Sequence, residues 1–144
     1  MRMSNLNAAV GYYQLVKLKH ILKKKKKINA NYSKNLSKIP GLNVLTENND
    51  SVSNNWINIL KIDPKKYGRT KSELINFLSS KGVETRSIWF PNHLQKSFLN
   101  EQKYKTNKSE DLFNYSICLP SSYSLTNKDI LYITNSIKSY VKKN

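Results

Sequence analysis

Arg86, Trp89, His93 and Gln95 stand within the short segment 86–95, and their side chains could together hold a polar ligand with a flat part. A guanidinium presents a fork of N–H donors to anionic oxygens, an indole presents an aromatic face, and imidazole and carboxamide give directional hydrogen bonds. Residue types alone favour a plainer arrangement, with Trp89 in the core, Arg86 in a surface ion pair and His93 in a loop. Other chemistry has less support. His20 lies among lysines with no second histidine or acid at metal-ligand spacing, so a solvated helical residue is expected and no metal site. Cys118 is the only cysteine, which excludes an internal disulfide framework and predicts a buried, inert thiol. The four glycines stand alone, outside any G-x-G-x-x-G or Walker pattern, so no phosphate loop is expected.

Charge dominates the composition. Lys and Arg number 25 against 9 acids, for a net charge of +16, which raises the possibility of a polyanion partner. Only Arg2, Arg69 and Arg86 are arginines, whereas base readout and bidentate phosphate recognition favour the guanidinium. The abundant Lys, Asn, Ile and Tyr share A/T-rich codons, a source of charge unrelated to nucleic acid. A stand-alone basic binding or interaction module, for nucleic acid or for a separately encoded large domain, remains the alternative function.

The elements that must position segment 86–95 read as follows. Ser4 caps a helix in which Leu6, Val10, Tyr13, Leu15, Leu18, Leu22, Ile28, Tyr32 and Leu36 recur at three- and four-residue spacing, up to Ile39-Pro40-Gly41. A helix of about 34 residues spans roughly 50 Å, longer than the roughly 37 Å expected for a globule of this size. It calls for a neighbour outside the chain, unless it breaks near Lys27. Strands are expected at Leu42–Leu45 and Val52–Ile62, the second with Trp56, Leu60 and Ile62 on one face, Ile57 and Ile59 on the other, and both faces covered. Asp63–Gly68 reads as a turn. A Thr70/Glu73 capping box opens a helix stopped by Gly82, and a strand Val83–Phe90 follows. Residues 92–108 read as a polar, irregular functional loop. A short helix Ser109–Tyr115, a strand Ile117–Leu119 and a helix capped by Thr126 and Asp129, with Ile130, Ile133, Ile137, Tyr140 and Val141 in one stripe and Lys142 and Lys143 at its end, complete the chain. The class is α/β: a long N-terminal helix, residues 1–40, then a small sheet flanked by helices, residues 41–144. No apolar run reaches the ~20 residues of a membrane span and residues 1–10 lack signal-peptide features, so a cytoplasmic address is expected.

Three segments carry a resemblance. Arg2-Met3-Ser4-Asn5-Leu6-Asn7-Ala8-Ala9-Val10-Gly11, with Gln14-Leu15 and Lys17-Leu18, resembles the R-M-S-N-x-x-A-A-x-G-x-x-Q-L-x-K-L run of the DegT/DnrJ/StrS sugar aminotransferases. Thr85-Arg86-Ser87-Ile88-Trp89-Phe90-Pro91-Asn92-His93-Leu94-Gln95 is similar to the family's T-R-P-x-W-x-P-x-H-L-Q segment, found in members acting on 4-keto sugar nucleotides of the bacillosamine and perosamine type. Leu119-Pro120-Ser121-Ser122 is similar to its L-P-S-S/G segment. Ser87 departs from the usual proline.

The resemblance implies the small C-terminal domain of a fold-type I aminotransferase, preceded by the long helix. It implies a pyridoxal 5'-phosphate enzyme that moves an amino group, usually from glutamate, to a keto sugar nucleotide in polysaccharide or glycan biosynthesis, as a homodimer. Arg86, Trp89, His93 and Gln95 become substrate-binding residues and Arg2 a cofactor-side residue. The family's Schiff-base lysine, its acid for the pyridinium nitrogen and its ring-stacking aromatic all lie upstream of the R-M-S-N run. Met1 stands where the family has the asparagine that reaches the cofactor phosphate. The expectation is therefore a truncated chain with no catalytic residue of its own, no cofactor bound alone and no activity alone.

Overall fold

The structure, a computed structural model, describes residues 2–142, so Lys143 lies outside the described residues. Helix α1 runs unbroken over Asn5–Leu36, 32 residues, with the Ser4 side chain accepting from the Asn7 N–H. No break occurs at Lys27. Strand β1 (Leu42–Val44) pairs antiparallel with β2 (Asn58–Ile62), β2 with β4 (Ser116–Leu119), and β4 with β3 (Arg86–Ser87), giving the order β1-β2-β4-β3. Between them lie α2 (Pro64–Tyr67), α3 (Lys71–Ser80), two single turns of 3-10 helix (Asn92–Leu94 and Lys96–Phe98) and α4 (Asn107–Tyr115). Helix α5 (Asn127–Ser139) follows β4.

One core forms where the second half of α1, through Ile28, Tyr32 and Leu36, meets Ile130, Ile133 and Ile137 of α5, Leu74 and Leu78 of α3, and the sheet face carrying Leu60, Ile62, Ile117 and Leu119. Alternation along β2 turns Lys61 to the opposite face, where α4 lies and Asp111 pairs with its ammonium. The expected cover of both faces is met in part: one face of β2 is buried, and the other, with Ile59 and Lys61, is half-buried. The α3 and α5 capping boxes both form, Thr70 with Glu73 and Thr126 with Asp129. Gly41 is required at its turn: its φ is +79°, and a Cβ there would lie 2.6 Å from the Tyr67 nitrogen.

Two strands are shorter than their sequence pattern suggests. The expected Val52–Ile62 strand shrinks to Asn58–Ile62, and Trp56 is exposed instead of sharing the face of Leu60 and Ile62. Short polar side chains take over the backbone before it: Asn55 N–H donates to Ser53 Oγ, Trp56 N–H to Asn54 Oδ1, and Asn55 adopts φ +48°. Such local bonds compete with a strand ladder. The expected Val83–Phe90 strand shrinks to Arg86–Ser87, paired only to Cys118 and Ile117 of the short strand β4. Cys118 is half-buried rather than buried, and burial pushes its thiol pKa up, away from the reactive thiolate.

Candidate functional site

Arg86 stands on the edge strand β3, exposed, with Nε and one terminal nitrogen on Glu84 Oε1 at 3.0 and 2.6 Å. An ion pair this open to water holds its arginine weakly, so the guanidinium can change partners at little cost. Trp89 is also in water, 63% exposed, rather than in the core. Its neighbour is Trp56, 65% exposed, with ring centroids 5.8 Å apart and planes tilted by 37°.

His93 sits in the first 3-10 turn, its side chain mostly buried, with Nε2 2.9 Å from Glu110 Oε1 on α4. Thr106 Oγ1 donates to the same carboxylate oxygen at 3.1 Å. The His93 bond, and then the Thr106 bond, hold the Glu110 carboxyl below the usual carboxylate range, against desolvation. Gln95 Nε2 donates to Asn92 Oδ1 at 3.0 Å and the Phe90 carbonyl at 3.4 Å. Phe90 packs edge-on against Phe113 at 5.1 Å. The 92–108 segment is thus clasped to α4 by the His93–Glu110 hydrogen bond, and Phe90 just before it adds one aromatic contact. Among the described residues, no hydrogen bond joins any two of Arg86, Trp89, His93 and Gln95; Arg86 and Gln95 have local partners, whereas His93 and Trp89 meet residues distant in sequence.

The Leu119-Pro120-Ser121-Ser122 segment is a joint. Ser121 Oγ accepts from the Asn58 backbone N–H at 2.9 Å and from Asn58 Nδ2 at 2.8 Å, and donates to the Leu119 carbonyl. Asn29 of α1 donates to Asn58 Oδ1 at 3.0 Å, and the Tyr32 hydroxyl to the Pro120 carbonyl at 3.0 Å. Lys25 donates to the Ser121 carbonyl and, at 3.1 Å, to the Trp56 carbonyl. Helix, sheet and the Trp56 loop are tied together there.

Arg2 is exposed just before α1. About 30 Å of helix separates Asn5 from Lys25, so Arg2 stands apart from the tryptophan pair within this chain. His20 is exposed on α1 and meets the Tyr123 ring edge-on at 5.9 Å. Among the described residues, no cluster of three His, Cys, Asp or Glu side chains could hold a metal.

A family model described as the DegT/DnrJ/EryC1/StrS aminotransferase family matches residues 1–138. The chain belongs to that family. Its relatives include the GDP-perosamine synthase of Escherichia coli O157:H7, 32% identical over 140 residues, which cover 96% of this chain and 36% of that protein. The spore coat polysaccharide biosynthesis protein SpsC of Bacillus subtilis (strain 168) is 27% identical over 146 residues, covering 99% of this chain and 38% of SpsC. Among solved structures, Helicobacter pylori PseC, an aminotransferase involved in the biosynthesis of pseudoaminic acid, superposes with a TM-score of 0.83 at 19% identity, covering 98% of this chain and 38% of PseC. The chain therefore has the fold of part of a fold-type I aminotransferase, and it spans about a third of the length of the curated relatives it matches. That share fits the C-terminal portion implied by its motifs.

Two lysines with a lowered pKa, Lys25 and Lys71, do not fit the Schiff-base lysine of a pyridoxal phosphate site. A Schiff-base lysine needs a neutral, free amine in a pocket that also holds a pyridine ring. Burial lowers the pKa of Lys25 and of Lys71, but Lys25 donates to the Ser121 and Trp56 carbonyls and Lys71 to the Phe113 carbonyl, so both amines are engaged in holding the fold.

Two residues escaped the sequence reading. Trp56 was hidden by the strand pattern around it, although Asn54-Asn55, residues that tolerate positive φ, signal a turn there. Glu110 lies 17 residues from His93, and nothing in their spacing links them.

Proposed function

We propose that this chain is the substrate-side, C-terminal portion of a pyridoxal-phosphate aminotransferase that aminates a keto sugar nucleotide, with glutamate as the usual donor, for polysaccharide or glycan synthesis in the cytoplasm. Residues 41–144 act as the small domain and residues 1–40 as the helix connecting it to the cofactor-holding portion, which is supplied by polypeptide outside these 144 residues. The intact enzyme works as a homodimer. One observation carries this reading: the family match runs through residues 1–138, while the first half of α1 leaves the body with its apolar side chains in water.

Within the site, Arg86 exchanges Glu84 for the diphosphate oxygens, Trp89 lies against a flat part of the substrate, and His93 and Gln95 direct hydrogen bonds to it. Arg2 serves the cofactor side, at the end of α1 remote from the tryptophans. The cofactor, when bound, supplies the amino-transfer chemistry; the side chains of this chain bind and orient.

The test compares the purified 144-residue chain with the same chain joined to the polypeptide encoded directly upstream. Both receive pyridoxal phosphate, glutamate and a keto sugar nucleotide. Amino sugar nucleotide formed only by the longer protein supports the reading. Turnover by the 144-residue chain, or an upstream polypeptide unrelated to a cofactor domain, overturns it.

A further inference from the structure

The loop 53–56 turns through a left-handed residue and carries an aromatic ring out into water. Asn55 is buried at φ +48°, a conformation that asparagine tolerates better than other non-glycine residues. Five hydrogen bonds brace the loop. Ser53 N–H donates to Glu47 Oε2 at 2.8 Å, Asn55 N–H to Ser53 Oγ at 3.0 Å and Asn55 Nδ2 to the Ser53 carbonyl at 3.3 Å. Trp56 N–H donates to Asn54 Oδ1 at 3.0 Å, and Lys25 reaches the Trp56 carbonyl at 3.1 Å. Glu47 is itself anchored to Lys26 of α1 at 2.7 Å. A loop braced to a helix is a rigid mount, yet the indole it carries is left 65% exposed. A large apolar ring in water gains nothing from folding. Trp89, 5.8 Å away and tilted by 37°, is exposed to a similar degree, so the two indoles form an open, angled wall.

We propose that Trp56, together with Trp89, is a stacking platform for the flat base of the nucleotide, which makes Trp56 a binding residue. This rests on the reading of segment 86–95 as a sugar-nucleotide site. A base has a π face whatever its identity and stacks on indole, whereas a diphosphate has no face to set against a ring. Arg86, on the same segment as Trp89 and bonded through its guanidinium to the exposed Glu84, is the natural partner for the phosphates attached to that base.

Trp56 and Trp89 are the only tryptophans of the chain, so the two indole N–H signals in a 1H–15N spectrum report on this pair and nothing else. The 144-residue chain is titrated in separate experiments with UDP, with GDP, with the uncharged nucleosides uridine and guanosine, and with inorganic pyrophosphate. A chain of net charge +16 attracts any polyanion, and the pyrophosphate arm isolates that effect. Both indole signals are expected to move with nucleotides and nucleosides and to stay in place with pyrophosphate. Trp56→Ala should weaken nucleotide binding about tenfold, and Trp56→Phe should recover most of the loss. Both side chains are exposed, so circular dichroism should show both variants folded. Nucleotide binding unchanged by Trp56→Ala would overturn the proposal while leaving the aminotransferase reading intact. Indole signals that respond to pyrophosphate as to UDP, or to none of the probes, would also overturn it. The aminotransferase reading falls separately, by the turnover experiment with the longer protein.

Discussion

The two halves of α1 share one helix and one kind of apolar spacing, yet they live in different surroundings. From Ile28 to Leu36 the stripe is buried, with Tyr32 and Leu36 wholly out of water. From Leu6 to Leu22 the same spacing continues into solvent: Leu6 is 74% exposed and Leu15 66%. The first half has no acid in its opening turn, and Leu6, Val10, Leu15, Leu18 and Leu22 along its stripe are all exposed. Helices in proteins draw most of their stability from packing an apolar face rather than from propensity. An uncovered stripe of this length marks a surface evolved to be covered. The lesson is that periodicity identifies which residues want burial, and only the fold says where the cover comes from.

The largest effect should come from the buried half. Leu36→Ala should destabilise the chain by about 2–5 kcal/mol in denaturant unfolding, whereas Leu15→Ala should change it by less than about 0.5 kcal/mol. Similar losses at both positions would erase the distinction. Next comes the joint that fixes the boundary between the halves. Ser121→Ala removes the acceptor of the Asn58 N–H and should cost about 1–3 kcal/mol, read by the same unfolding curve. Thr126→Ala, which removes the N-cap of the helix against which the buried half packs, should cost about 1 kcal/mol. The smallest effect is a pH response outside α1. The folded Glu110 carboxyl has a depressed pKa, so the folded state binds its proton less readily than the unfolded state does. The resulting stabilisation is complete above the unfolded value of about 4.3 and disappears as pH falls through the depressed folded value. Amide shifts in residues 92–108 should report the loosened clasp in acid, while those of residues 28–36 stay in place.

Much of this fold was legible in the sequence because local signals agreed with one another. Ser4, Thr70 and Thr126 each announced a helix start that the structure shows, and the stripe of Ile130, Ile133 and Ile137 pointed to the core that received it. The strands were less legible. Val52–Ile62 alternates like a strand across the Asn54-Asn55 turn that interrupts it, and Val83–Phe90 reads as strand but pairs through two residues with a β4 of only four. The candidate site was visible as residue types in segment 86–95, and its partners were not. Glu84, two residues away, was within local reach of Arg86, whereas Glu110 and Trp56 meet His93 and Trp89 only through tertiary folding. No pattern in a single sequence encodes such a meeting.

The most direct measurement is amide hydrogen exchange along α1, residue by residue, on the dilute 144-residue chain and on the protein extended by the polypeptide encoded upstream. Exchange is expected to be fast over residues 6–22 and slow over 28–36 in the chain alone, with residues 6–22 becoming protected in the longer protein. Uniform protection along α1 in the dilute chain, or residues 6–22 still exchanging fast in the longer protein, would contradict the assignment of that half as the surface that receives the rest of the enzyme.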